Sequence, residues 1–214
     1  FQIGTKGVFD TSDGTVRGRP LNSDAAQFLT PASIYVDPKN GDIYVADGEA
    51  RGRNTRIAVM DREGRFLHQW RPEGMDMVHC MTAARDGMVY VCNRYNSRLQ
   101  VYDQRGTFIR NIEVPWRPYT PPADGVERAT EGSAVSLALS RDPNQTRMYV
   151  VNQDNARIEI IDRQTGRILS NFGGGVGHAP GQFDQAHGIA VDSEGSVYVT
   201  ENRGRRVQRF TAVR

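Results

Sequence analysis

Lysine is almost absent from this sequence. Lys6 and Lys39 are the only two, and arginine carries the rest of the positive charge. A surplus of either sign is also lacking: 27 Lys and Arg stand against 25 Asp and Glu, a formal net charge of +2. A dedicated nucleic-acid-binding domain is expected to be clearly basic, so nucleic acid is not an expected partner. No run approaches the roughly 18 consecutive apolar residues of a spanning helix, and no membrane span is expected. Two cysteines, Cys80 and Cys92, are too few for a disulfide framework. No convincing amphipathic helix is visible, and 22 Gly with 10 Pro in 214 residues call for many turns. GGGVGHAPGQF (173–183) is glycine-rich but lacks the Lys-Ser/Thr ending and following helix of a phosphate loop. It reads as a connector, with Phe183 as its anchor. The chain opens at Phe1 rather than Met, as expected of a chain that has lost a leader or is part of a longer one.

What the sequence does have is a repeat. DIYVADGEARGRNTRIAVMD (42–61), MVYVCNRYNSRLQVYD (88–103), RMYVVNQDNARIEIID (147–162) and SVYVTENRGRRVQRF (196–210) line up on Tyr44, Tyr90, Tyr149 and Tyr198. The tyrosines are 46, 59 and 49 residues apart, the long middle interval holding an insertion near PWRPYTPPADG (115–125). Each segment has a β-branched and aromatic strand, a polar turn, an Arg and a second alternating strand. A further strand precedes each: 32–41, 79–87, 135–145 and 187–195, running through Asp, Ser, Asn or Gly into the Tyr strand. RFLHQW (65–70), TFIRNI (107–112) and RILSNF (167–172) supply a fourth.

Four antiparallel strands at a period of roughly 40–50 residues predict a propeller blade. The expected class is all-β, with four four-stranded blades over residues 27–70, 71–112, 113–172 and 173–210, preceded by an outer strand and loop in 1–26. Ile34, Val36, Ile189 and Val191 are expected to pack between neighbouring sheets. The expectation is a six-bladed ring of which this chain supplies the last four blades; a true four-bladed ring and a ring completed by another chain are the alternatives.

The innermost strand of a blade lines the central channel. His79 and His187 stand at its entrance in alternate blades, where the others have Ala32 and Val135. In a six-fold ring alternate blades lie about 120° apart, which suits imidazoles converging on one metal. The competing reading is a pair of channel-lining residues held by water or backbone. Arg94, after Cys92-Asn93, reads as a bidentate clamp for a carboxylate or as an ordinary strand-end arginine. Arg56, Arg98, Arg157 and Arg206 recur in every repeat and are expected to be structural, tying the strand 2–3 hairpin to its neighbour. Arg203, Arg205, Arg206 and Arg209 cluster near the end, with Arg51 and Arg53 on a matching hairpin, but no aromatic stacking platform accompanies them. His68 and His178 read as solvated. Counting from the turn puts Cys80 and Cys92 out of register on opposite faces, which favours free thiols over a disulfide. Cys80 beside His79 is alternatively a soft ligand or reactive thiol. The loop 114–133 places Trp116 and Tyr119 among prolines, either to cover a channel mouth or dock a partner, or as a rigid flap.

These repeats resemble NHL repeats, and PGQFDQAHGIAVDSEGSVYVTENRGRRVQRF (180–210) is the closest to that consensus. Within that family, TPASIYVDPKNGDIYVADG (30–48), VHCMTAARDGMVYVCNRYNSRLQ (78–100) and QAHGIAVDSEGSVYVTEN (185–202) look like blades of the peptidyl-α-hydroxyglycine α-amidating lyases, in particular a lyase-like bacterial branch. Those are zinc propellers that split hydroxyglycine-extended peptides into an amide and glyoxylate. The resemblance implies His79 and His187 as two of three zinc ligands and Arg94 as an active-site residue. The lyases' catalytic Tyr is matched by Glu49, in a hairpin three residues longer, the Asp after their last His by Gly188, and a Met before it by Gln185. The expected function is therefore a secreted propeller, periplasmic or extracellular, acting as a binding or scaffold module. It would take a protein or peptide partner at the channel mouth, within a larger assembly, and a metal on the axis. The alternative is a zinc-dependent amidating-lyase-like enzyme; an RNA-binding module is the third.

Overall fold

The computed structural model describes residues 1–8, 10, 20–49, 53–118 and 132–211. Among these residues every regular element except one short 3-10 turn, Arg94–Asn96, is a strand. They form four antiparallel meanders in chain order. The first is β1 (Pro31–Val36), β2 (Ile43–Asp47), β3 (Arg56–Met60) and β4 (Phe66–Trp70); the second is β5 (Cys80–Ala83), β6 (Val89–Asn93), β7 (Arg98–Tyr102) and β8 (Phe108–Glu113). The third is β9 (Ala134–Leu139), β10 (Arg147–Asn152), β11 (Arg157–Asp162) and β12 (Ile168–Phe172), and the fourth is β13 (Ala186–Val191), β14 (Val197–Glu201) and β15 (Arg206–Phe210). The expected all-β propeller class is what these sheets make. The fourth differs from the expected four-stranded pattern, with three strands among the described residues.

The chain divides into two compact units, 1–83 with 87–93 and 100–110, and 84–86 with 94–99 and 111–214. In the first, strand alternation sorts β2 between two faces. Tyr44 and Ala46 join Ile57, Val59, Val78, Met81, Val89, Val91 and Tyr102 in one core. Ile43 and Val45 join Ala58 and Met60 in another, with Ile3 and Phe28 against them. Both faces being buried explains why the Tyr strands read as continuous apolar runs. Ile34 and Val36, expected to lie between sheets, are 64% and 53% exposed. They line an open groove with Phe1, Ile3, Phe28 and Ile43. In the second unit, Val135, Val151 and Ile158 pack with Ala186, Val191, Val197 and Val199 around a fully buried Phe183. Its ring lies 6.5 Å from Phe172 and 5.7 Å from Phe210, so the connector residue is indeed an anchor.

One turn recurs. Asp61, Asp103 and Asp192 each accept hydrogen bonds from backbone N–H groups two and four residues on, and a left-handed glycine follows at Gly64, Gly106 and Gly195. The side chain closes the turn and the glycine takes a positive φ that other residues adopt at a cost.

The recurring arginines are structural, but they reach a different partner from the one expected. Arg56 is 1% exposed; its Nε donates to Asp47 Oδ2 at 3.0 Å, and its Nη2 to the carbonyl of Gln27 at 2.8 Å. Arg206 does the same with Glu201 at 2.6 Å and the Gln182 carbonyl at 2.8 Å. Each arginine thus ties its hairpin to the segment entering its own sheet, at Gln27-Phe28 and Gln182-Phe183. Arg157 pairs with Glu159 at 2.5 Å. Arg98 breaks the pattern: Asn93 and Gln100 stand where the other sheets have carboxylates, and among the described residues its buried Nε has no hydrogen-bond partner.

Two outcomes follow from this framework. Replacing Asp47 by Ala removes the carboxylate that accepts from Arg56 Nε, leaves only Asp10 at 3.9 Å as counter-charge, and is expected to cost about 3 kcal/mol by urea unfolding. Asp103 has its carboxyl held below the ordinary value, chiefly by the backbone N–H of Thr107. A lowered folded value stabilises above the unfolded pKa and is lost as pH falls through the folded one. Unfolding midpoints of Asp103→Asn should therefore lie below those of the parent at neutral pH and converge with them below about pH 4.

Candidate metal and anion site

His79 sits immediately before β5, between buried neighbours, and is itself buried. Its backbone is held from both sides. Val78 N donates to the carbonyl of Gly48 at 3.0 Å, and His79 N donates to the carbonyl of Cys92 at 3.4 Å. One residue on, Cys80 is joined to Cys92 by a disulfide, with Cα atoms 4.9 Å apart. This overturns the expectation of free thiols: no cysteine is free. The β5–β6 register pairs Ala83 with Val89 and Cys80 with Cys92, so the loop 84–88 places the two cysteines directly opposite. Counting from a tighter turn misplaced them. The alternatives of a soft ligand or reactive thiol at Cys80 fall with the same bond.

The hairpin after β2 comes to the same spot. The N–H groups of Gly48 and Glu49 both donate to the carbonyl of Thr30, at 3.0 and 3.1 Å. Gly48 has no room for a side chain: a Cβ there would lie 2.6 Å from the carbonyl of Asn54 and 3.3 Å from Val78 Cβ. The close approach carries Glu49 to His79, with Glu49 Oε1 3.8 Å from His79 Nε2.

His187 occupies the corresponding place in the second unit. It is half-buried in β13, directly after the fully buried Ala186. Gly188 N donates to Thr200 Oγ1 at 3.0 Å, and a side chain at Gly188 would collide with that hydroxyl. Arg94, read as a clamp, is buried in the 3-10 turn. Its Nη2 donates to Gln153 Oε1 at 2.5 Å, and Gln153 Nε2 donates to the carbonyl of Ala186 at 3.0 Å. A hydrogen-bonded chain thus runs from Arg94 to the residue before His187. Gln153 was missed in the sequence, although the repeat marks it: it follows Asn152 as Arg94 follows Asn93.

Asp154 was missed as well. Its Oδ2 accepts from the Trp116 indole at 2.9 Å and from Gly132 N at 2.7 Å, bracketing both ends of the 114–133 loop. Trp116 keeps 39% of its surface exposed. Gly132 has a φ of 102° and packs against the Arg94 carbonyl, where no Cβ fits. Tyr119 and Arg51 lie outside the described residues. Of the basic cluster, Arg206 is taken up by its hairpin, and Arg209 lies over Tyr198 at 5.7 Å and donates to Ser196. His68 is half-buried and stacked on Trp70, and His178 is exposed, 3.3 Å from Asp184.

Residues 183–210 match the NHL repeat, and the four antiparallel sheets are of the β-propeller kind. The chain is related to the amidating enzymes of peptides. It is 29% identical over 207 residues to peptidyl-glycine alpha-amidating monooxygenase A of Xenopus laevis, covering 88% of this chain and 20% of that protein. It is 24% identical over 209 residues to peptidyl-alpha-hydroxyglycine alpha-amidating lyase 1 of Drosophila melanogaster, covering 86% of this chain and 35% of that one. This chain therefore spans a fifth to about a third of the length of these relatives. Among solved structures, a catalytically inactive virginiamycin B lyase from Staphylococcus aureus with quinupristin is similar in fold, with a TM-score of 0.58 at 16% identity, over 86% of this chain and 56% of that one.

The disulfide beside His79 closes a loop with a sequence separation of 12, which corresponds to about 3 kcal/mol of chain entropy. A Cys80→Ala, Cys92→Ala double variant should melt at a lower temperature than the parent. Reductant should lower the melting temperature of the parent toward that of the variant and leave the variant unchanged.

Proposed function

We propose that the protein is a metal-dependent propeller of the amidating-lyase type, with His79 and His187 as nitrogen ligands. The observation that supports this is their shared repeat position, each directly after a fully buried residue at the head of an inner strand. The relationship to amidating enzymes over most of the chain supports it independently. The donor chemistry fits: imidazole nitrogen, with a carboxylate 3.8 Å from one of the rings, suits zinc and similar divalent ions. When bound, such an ion with an open position polarises a substrate oxygen or makes a bound water more acidic.

The chain's own residues do the positioning. Arg94 is proposed to hold a peptide carboxylate through its planar fork, with Gln153 fixing one arm of the guanidinium. A substrate of α-hydroxyglycine-extended peptides, and a place in a lyase-like bacterial branch, belong to the same proposal. The disulfide suits an oxidising compartment, periplasmic or extracellular.

The exposed Trp116 ring, on a loop bracketed by Asp154, favours a second reading. In it the protein is a binding or scaffold propeller that takes a protein or peptide at the channel mouth within a larger assembly.

Elemental analysis of the purified protein and of a His79→Ala, His187→Ala variant separates the two. About one zinc in the parent, lost in the variant, with conversion of an α-hydroxyglycine-extended peptide to its amide, is the expected result. No metal in either sample removes the enzyme reading and leaves the binding module.

A further inference from the structure

The hairpin that carries Glu49 is one place where this sequence departs from the lyases it resembles, and the structure gives that departure a chemical sense. Three backbone hydrogen bonds fix Glu49 against His79: Gly48 N and Glu49 N to the Thr30 carbonyl, and Val78 N to the Gly48 carbonyl. The absence of a side chain at Gly48 permits the approach. On the other side His79 is held through Cys92, both by its own N–H and by the disulfide at Cys80. The two side chains are therefore presented to each other by fixed backbone, although the Glu49 side chain is 47% exposed.

The separation they adopt is informative. At 3.8 Å, Glu49 Oε1 and His79 Nε2 are too far apart for a direct hydrogen bond, which requires roughly 2.7–3.2 Å. Two donors on one tetrahedral zinc, each at about 2.0–2.2 Å, stand about 3.3–3.6 Å apart. The observed gap lies within a few tenths of an ångström of that distance. A divalent ion drawn between the two groups satisfies both with a small side-chain adjustment, and Glu49 has the solvent-side freedom to make it.

We infer that Glu49 is an oxygen ligand of the metal held by His79, so that this chain offers a carboxylate beside that imidazole. The inference rests on the metal-dependent reading above. Two histidines and one carboxylate with an open position is a recognised catalytic zinc arrangement. Loss of the lyases' phenol at this position and gain of a metal-binding carboxylate are then one change.

The test uses the whole chain and the metal alone. Zinc affinity is measured by competition with a chromophoric chelator, and cobalt(II) is added to record its visible bands, for the parent, Glu49→Gln, Glu49→His and the His79→Ala, His187→Ala variant. Glu49 is exposed, and unchanged circular dichroism and melting of Glu49→Gln check that it folds. The expected result is one ion per parent chain, an affinity loss of the order of a hundredfold in Glu49→Gln, at or above the upper end for a lost outer-shell partner, a shifted cobalt spectrum, and recovery of affinity in Glu49→His. Parent-like affinity and spectrum in Glu49→Gln, with binding lost in the double histidine variant, overturn the role of Glu49 and leave the histidine site standing. A parent chain that binds neither ion overturns both.

Discussion

A guanidinium facing a buried carboxylate holds each of three hairpins in place. In the first sheet the pair is Arg56 and Asp47, with side chains 1% and 0% exposed. Burying either charge alone would cost several kcal/mol, so the pair exists only where both partners and their remaining hydrogen bonds are satisfied together. Arg56 meets that condition by donating as well to the carbonyls of Asp24 and Gln27 and to Gln69. The pair therefore specifies geometry: it fixes the hairpin to the chain segment entering the same sheet. The mounting of Glu49 follows from this, because Asp47 is two residues from Glu49 and also accepts from the N–H groups of Leu29 and Thr30. Thr30 in turn holds Gly48 and Glu49 through its carbonyl.

The fold was legible because the repeat is written in groups with strong local demands. Tyr and β-branched residues run together in each second strand, Asp closes a turn, and a glycine with positive φ follows, as at Asp103 and Gly106. These are short-range rules that survive in a single sequence. The recurrence of arginine was legible for the same reason. Its partner was not, since Gln27 and Gln182 bind through backbone carbonyls that no side-chain pattern reveals. The disulfide was misjudged by counting across the 84–88 loop, where one residue more or less turns a side chain to the opposite face.

The candidate site was legible in part. His79 and His187 announce themselves because histidine is scarce and both fall at one repeat position. Glu49 is marked in sequence only as a mismatch to the tyrosine position of the lyases that these repeats resemble. Its proximity to His79 depends on backbone hydrogen bonds between residues 18 to 30 apart in the chain. Gln153 and Asp154 belong to the same category. Each is an ordinary polar residue after a strand, and each becomes specific only through what the fold brings to it.

The second sheet is braced differently from the others. Where its sisters place a carboxylate beside the recurring arginine, it has Asn93 and Gln100 around Arg98, and it alone carries Cys80–Cys92. A chain delivered with both thiols reduced would keep three braced hairpins and lack bracing only where His79 is mounted. On the proposed metal reading, the redox state of this pair would bear on the mount of His79 more than on the other sheets.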